Sequence, residues 1–145
     1  MSSSPHRLVF DRKDLIGAWV AAQTGQDTSW GDFYAMGVMQ DSSVIAGIVF
    51  NNFNGANATC HIAVEKPGKS MIKLLQAAYD YAFNQCKLKR LTGMVPTSEP
   101  DTIAFDQHLG WEYEFTMKDA HPEGDMVILV MTPESGKRWK VKDNG

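Results

Sequence analysis

A chain of 145 residues, 43% apolar and 21% charged, has the size and composition of one globular domain able to bury a core of its own. A net charge of −3 excludes a global attraction to nucleic acid or to an anionic membrane surface, no apolar stretch reaches membrane-spanning length, and the start "MSSSPHRL" lacks the apolar segment of a secretory signal. Cys60 and Cys86, with no C-x-x-C and no clustered His/Cys spacing, exclude a disulfide framework and a zinc site, so a reduced, cytoplasmic chain without bound metal is expected.

No repeat, low-complexity segment or linker divides the chain, which reads as a single domain over 1–135 followed by a basic C-terminal tail, 136–145, carrying "GKRWKVK" as a solvated end. A short strand is predicted at 7–10. Asp11 then caps a helix with Asp14 three residues on; Leu15, Ile16, Trp19 and Val20 give it an apolar face and Gly25 ends it. The next segment, from "GDFYAMG" to "HIAVE", reads as three strands, with turns at Asp41-Ser42 and Asn54-Gly55, where Asn and Gly tolerate the positive φ of a tight hairpin. "VIAGIVF" is apolar on both pleat faces and so belongs inside the sheet.

The stretch "VEKPGKSMIKLL" carries a strand directly into a helix. Gly68, Lys69 and Ser70 match the end of a nucleotide phosphate loop, but the position five before Gly68 is Ala63 where that loop needs glycine. A helix start remains, whose free N–H groups and dipole suit an anion. Met71, Leu74, Leu75, Ala78, Ala82 and Phe83 recur at helical steps and predict a helix over 70–86. "RLTGMVP" is a strand. Ser98 caps a short helix, with Asp101 at the capping-box position, Pro100 in its first turn and Gly110 at its end. "WEYEFTMKDA" and "MVILVMT" close the domain as strands joined through "HPEGD". Hairpins dominate the first half and a helical crossover links later strands, which gives an α+β domain with a mixed sheet and helices packed on it.

That element order, the strand "ATCHIAV" running into the helix after Lys69-Ser70, and the segment "VPTSEPDTIAFDQHLGWEYE" with its capped short helix and "LG-aromatic" end together resemble the GNAT family of acetyl-CoA-dependent N-acetyltransferases. The likeness covers about residues 33–132, is nearest to ribosomal-protein-type and phage-encoded members, and has Trp111 where a Phe is usual. It implies a mixed, mostly antiparallel sheet with helices on both faces and a splay between the fourth and fifth strands, 58–64 parting from 91–95. Acetyl-CoA would lie in the gap as co-substrate. The resemblance assigns its pantetheine amides to main-chain groups of Ile62, Ala63 and Val64, and its pyrophosphate to the turn 66–71 through Gly68, Lys69, Ser70 and Met71, Lys69 adding a cation. Three features depart from the family pattern. The glycine-rich loop is a short connection with one glycine, an Asn at the start of the short helix is Glu99, and the Tyr that protonates the leaving thiolate is Asp106.

Transfer to a primary amine (a protein N-terminus, a lysine or a small molecule) needs a base, a donor to the carbonyl oxygen and a proton for the departing sulfur. Strand parity places His61, Ala63 and Glu65 on one face and Cys60, Ile62 and Val64 on the other, which makes His61 and Glu65 the candidate bases and removes a Cys60–His61 dyad. The plain alternatives are a core histidine bonded to backbone and a solvated strand-end acid. Asp106 reads as a polar helix residue, because a general acid there needs an unusually high pKa; Tyr113 and His108 are the other acids near the "LG" turn. Trp30, Asp32 and Phe33 of "TSWGDF" are candidates for an amine slot, or a lid on the core. The alternative function is a catalytically inactive domain on the same scaffold, a structural or interaction protein, for example phage-encoded. Edge strands near the C-terminus offer pairing between two copies, a homodimer.

Overall fold

The computed structural model describes residues 4–27, 29–66 and 68–142. In chain order the elements are β1 (His6–Val9), α1 (Lys13–Thr24), β2 (Phe33–Gln40), β3 (Ser43–Asn51), β4 (Asn57–Val64), α2 (Lys69–Tyr79) continued by a π-helical segment (Asp80–Gln85), β5 (Arg90–Pro96), α3 (Pro100–His108), β6 (Glu112–His121), β7 (Gly124–Met131) and a 3-10 turn (Lys137–Trp139). The strands form one seven-stranded sheet in the order β1-β2-β3-β4-β5-β7-β6. Neighbours are antiparallel except β4 and β5, which are parallel. The mixed sheet and the interior position of "VIAGIVF", now β3, are as the sequence predicts.

Antiparallel partners share a face of the sheet, so Gly47, Val49, His61 and Ala63 look to one side and Ile48, Phe50, Cys60 and Ile62 to the other. α1 covers the first side, where Ile16, Val20 and Ala21 pack on Ala35, Val49 and Ala63. The approach is close because two strand positions carry no side chain. A Cβ at Gly37 would stand 2.6 Å from Ile16 Cδ1, and one at Gly47 2.7 Å from Val20 Cγ2. The second side carries α2 and α3: Leu74, Leu75 and Ala78 join Met36, Ile48, Phe50, Leu91 and Leu129 in the larger core, with Ile103 and Phe105 packed against it.

Four local features differ from the sequence reading. Neither Asp11 nor Ser98 caps a helix: the N-cap positions are Arg12 and Glu99, without side-chain cap bonds, because the chain turns off the preceding strand one residue later than the cap chemistry suggests. The C-terminal signals hold, with Gly25 at φ +72° and Gly110 at φ +109°. The long helix widens into π geometry at Asp80, whose carboxylate accepts from the side-chain amides of Asn84 at 2.9 Å and Gln85 at 2.8 Å. Those partners lie four and five residues on, which suits the wider turn. The expected loop "HPEGD" is a two-residue hairpin turn at Pro122 and Glu123, since β6 runs to His121 and β7 starts at Gly124.

The basic segment is exposed at 137–138 and 140–142 but is anchored to the domain through Trp139. Trp139 is buried in the main core and donates its indole N–H to the Leu109 carbonyl at 2.7 Å, so burial of one large aromatic outweighs the pull of the flanking lysines toward water. Residues 143–145 of that segment lie outside the described residues.

Candidate active site

β4 and β5 pair at only three positions, Asn57 with Arg90, Ala58 with Leu91 and Thr59 with Thr92. The closed end is clasped by Thr92 Oγ1, which donates to Asn57 Oδ1 at 2.6 Å. Past it β4 stays with β3 as far as Val64, and β5 stays with β7 as far as Pro96, so the facing edges part. The Glu65 N–H donates to Ile45 O at 2.9 Å across the β3 side. By strand alternation the main-chain groups of Ala63 and His61 also point to β3, while those of Ile62 and Val64 point into the gap without a strand to receive them. Unpaired main-chain groups in the middle of a sheet ask for a partner that supplies donors and acceptors at peptide-like spacing.

The gap opens into a cleft of about 590 Å³, lined by β4 from Cys60 to Val64, β5 from Gly93 to Pro96, residues 23–26 after α1, and one side of α3. Its charged lining is Glu99, Asp101 and Asp106, with His61 and His121; no Lys or Arg among the described residues lines it. The described residues hold no His, Cys, Asp and Glu grouping fit for a metal ion.

On the α1 side the titratable group lining the cleft is His61. Asn51 Nδ2 donates to the Trp30 carbonyl at 3.2 Å, which turns Asn51 Oδ1 toward the imidazole, 3.0 Å from Nε2. Nε2 therefore carries the proton, and Nδ1 accepts from Gln26 Nε2 at 3.3 Å. The Trp30 ring lies 4.6 Å from the imidazole, centroid to centroid. Burial pushes the His61 pKa down to about 4, so at neutral pH the ring is uncharged, with its Nδ1 lone pair engaged by the exposed Gln26 amide. The histidine is both bonded into the structure and open to the cleft.

On the opposite side stands Asp106 of α3. Burial, and then the like charge of Glu99, pushes its carboxyl up to about 7. Asp106 lines the cleft from α3, with the raised pKa that the sequence reading requires of a general acid there. Cys60, next to the closed end, is buried with its thiol pushed up, first by burial and then by Asp106, and is an inert packing group. The Trp111 ring lies over Gly93, where a Cβ would be 3.3 Å from Cζ3; its indole N–H is buried without a partner among the described residues.

The structure brings together His61, Ile62, Ala63 and Val64, and separates them from the other sequence candidates. Glu65 lies past the end of β4, exposed and outside the cleft. Trp30 is core: its N–H donates to Gly17 O at 3.0 Å, drawing the loop inward beneath His61. Phe33 packs on the same cluster under Lys13, and Asp32 is exposed; none of these three lines the cleft, where Gln26 stands instead. Gly68, Lys69, Ser70 and Met71 also lie outside the cleft lining. They form an α2 start without a side-chain cap, with Ser70 Oγ hydrogen-bonded to His6 Nδ1. Pro67 of that turn lies outside the described residues. His108 and Tyr113 are exposed and away from the cleft. Asn51 and Gln26 were missed; the one signal was a polar residue ending the otherwise apolar "VIAGIVFN" strand.

No protein-family profile and no curated protein matches the sequence. Solved structures do. A spermidine N-acetyltransferase from Vibrio cholerae in complex with CoA and spermine superposes with a TM-score of 0.70 at 12% identity, covering 91% of this chain and 98% of that one. An IAA acetyltransferase from Bacillus cereus gives a TM-score of 0.72 at 18% identity, covering 88% of this chain and 99% of that one. Likeness at such low identity shows a common fold, and the fold is that of the GNAT acetyltransferases.

Proposed function

We propose that this chain is an acetyl-CoA-dependent N-acetyltransferase acting on a primary amine. The observation that carries the proposal is the parting of β4 from β5 after three paired residues, which leaves the Ile62 and Val64 main chain free to bond the two amides of a pantetheine arm. The uncapped, exposed start of α2 would receive the diphosphate, with Lys69 beside it. His61 Nδ1 would take the proton that the amine releases on attack once the exposed Gln26 side chain, which donates to Nδ1 at 3.3 Å, is displaced by the substrate, Asn51 holding the ring in the tautomer that makes this possible. Glu65 is the weaker candidate for that role, since it lies outside the cleft.

A small cationic amine is the acceptor that the cleft's charge favours, because its lining carries carboxyl groups and no cation. One of the similar structures holds spermine with CoA, a ligand of that chemistry. The described helices include none long and apolar enough to cross a membrane.

The same acidic lining, with Glu99 and Asp101 at the start of α3, also favours a second reading: a domain that has kept the scaffold and lost the coenzyme. Isothermal titration with acetyl-CoA separates the two. Binding, followed by acetylation of polyamines or N-terminal peptides detected by mass spectrometry, supports the enzyme. No heat from demonstrably folded protein at millimolar coenzyme rejects it.

A further inference from the structure

The last pairing before the fork sets Thr92 beside Thr59, so two residues on Met94 shares a face of the sheet with His61, and Pro96 shares it with Ala63. The outer strands continue these two rows. Met94 pairs with Ile128 and Ile128 with Phe115; Pro96 pairs with Met126 and Met126 with Met117. The core beneath α1 takes its strand residues from β1 to β4 alone, and past the fork the same face is bare. Met94 is 46%, Phe115 47% and Met117 41% exposed, while Ile128 between the rows' ends is 5%. Met94, Pro96 and Met126 also line the cleft. The six side chains thus form an apolar shelf that begins beside His61 and runs outward across β5, β7 and β6 for roughly 10 Å, two strand spacings. A contiguous apolar patch opening from a cleft marks a binding surface, and unbranched thioethers adapt to varied apolar shapes.

We propose that this shelf holds an apolar tail on the acceptor, so that the amine acetylated here is a small amphiphile, a primary amine bearing an alkyl or aryl tail about 10 Å long. The inference rests on the acetyl-transfer reading and deepens it. A second copy of the chain is too large an occupant, since two rows across three strands cover on the order of 200 Å² by strand geometry, against about 800 Å² per partner in a stable pair. A peptide is the wrong chemistry. β7 is paired along both edges, so the shelf offers side chains and no main-chain partner, and amides laid across it would lose water without replacing those bonds. A polyamine fits less well. The carboxyl groups of the cleft stand at the N-cap and along α3, on the other side of the sheet. They draw an ammonium group in, but on the His61 side no described lining residue carries a carboxyl for a second positive charge.

The test is kcat/KM for n-alkylamines from propylamine to octylamine, with spermidine and trileucine amide alongside, for the wild type and for Phe115→Ser, Met117→Ser and Tyr113→Ser, each checked for folding by thermal melting. The wild-type value should rise about twofold per added methylene, half the gain of full burial because an open shelf covers one side of the tail. Octylamine should exceed both spermidine and the peptide. Phe115→Ser and Met117→Ser should each lower the octylamine-to-propylamine ratio about threefold or more. Tyr113 is as exposed on the same strand but stands opposite Leu129, on the α2 face, so Tyr113→Ser should keep the wild-type ratio. Carbon-13 methyl NMR reads the shelf without turnover: octylamine should shift Met94, Met117 and Met126 and leave Met131 in place. A wild type that acetylates amines without regard to tail length, that prefers spermidine or the peptide, or whose shelf methionines ignore octylamine overturns the proposal and leaves the acetyl-transfer reading standing. A dimer in sedimentation that Phe115→Ser dissociates gives the face to a second copy and overturns it likewise. A folded wild type that neither binds nor turns over acetyl-CoA overturns both.

Discussion

Asn51 and His61, diagonal neighbours on β3 and β4 where Asn51 stands opposite Thr59 and His61 opposite Val49, are joined by a single 3.0 Å hydrogen bond whose direction is decided one step further away. Asn51 gives an amide hydrogen to the Trp30 carbonyl, so its Oδ1 faces the imidazole and accepts from Nε2, which leaves Nδ1 as the acceptor for Gln26. A backbone carbonyl in a loop thereby fixes the tautomer of a strand histidine.

Replacing Asn51 by Ala should release that tautomer. Nitrogen-15 NMR of the His61 ring is expected to show protonated Nε2 in the wild type and a mixture in Asn51→Ala. The unpaired Trp30 carbonyl should also cost about 1–3 kcal/mol of stability in urea unfolding. An unchanged tautomer in the variant would mean that Gln26 alone sets it.

His61 makes folding sensitive to acid. Its pKa lies near 6.5 in the unfolded chain and falls to about 4 in the folded one, so below 6.5 the unfolded state binds the extra proton. Stability is therefore full above about pH 6.5 and declines as the pH falls toward 4, by about 3 kcal/mol in all. His61→Gln should flatten this acid arm of the stability curve.

Asp106 acts with the opposite sign. Its folded pKa of about 7 exceeds the unfolded 3.8, so its contribution is present below 3.8 and lost as the pH rises through 7. Asp106→Asn should consequently be more stable than the wild type at about pH 8, by an amount on the order of 2 kcal/mol after solvent screening, and should lose that advantage toward pH 4.

Gly93 is the strand position on which the Trp111 ring rests. Gly93→Val should push the indole away and narrow the fork, lowering stability by about 1–3 kcal/mol. Acetyl-CoA affinity by calorimetry should fall further than that of Met94→Ala, on the neighbouring, opposite face of the strand.

Trp139→Ala should cost about 3–5 kcal/mol in chemical unfolding, against a negligible change for Lys142→Ala. The side chain is buried in the same core as Leu74 and Leu129 and bonds the Leu109 carbonyl just before β6.

The order of elements along the chain, the interior β3 and the amphipathic α2 were legible because period-two and helical apolar patterns report burial directly. Gly25 and Gly110 were legible as helix ends because their φ values demand glycine or its like. The site was legible only along β4, where His61 to Val64 sit at the cleft in the order strand parity gives. Trp30 was misassigned because a turn aromatic looks the same in sequence whether it points out to a ligand or back to the Gly17 carbonyl. The raised pKa of Asp106 was not legible, because it depends on burial and on the charge of Glu99 in the folded chain. Trp139 was hidden by its lysines: local charge says nothing of where one indole goes.

Ile62 and Val64 belong to the fourth of seven strands, a place where amides are ordinarily released to deuterium only by unfolding of the whole molecule. Here the sheet has a margin in its middle. Those two amides should exchange as quickly as a rim, while Ala63 between them and His61 before them, turned to β3, stay slow. A ligand lying in the gap would then announce itself as an alternating pattern of slowed sites along one strand.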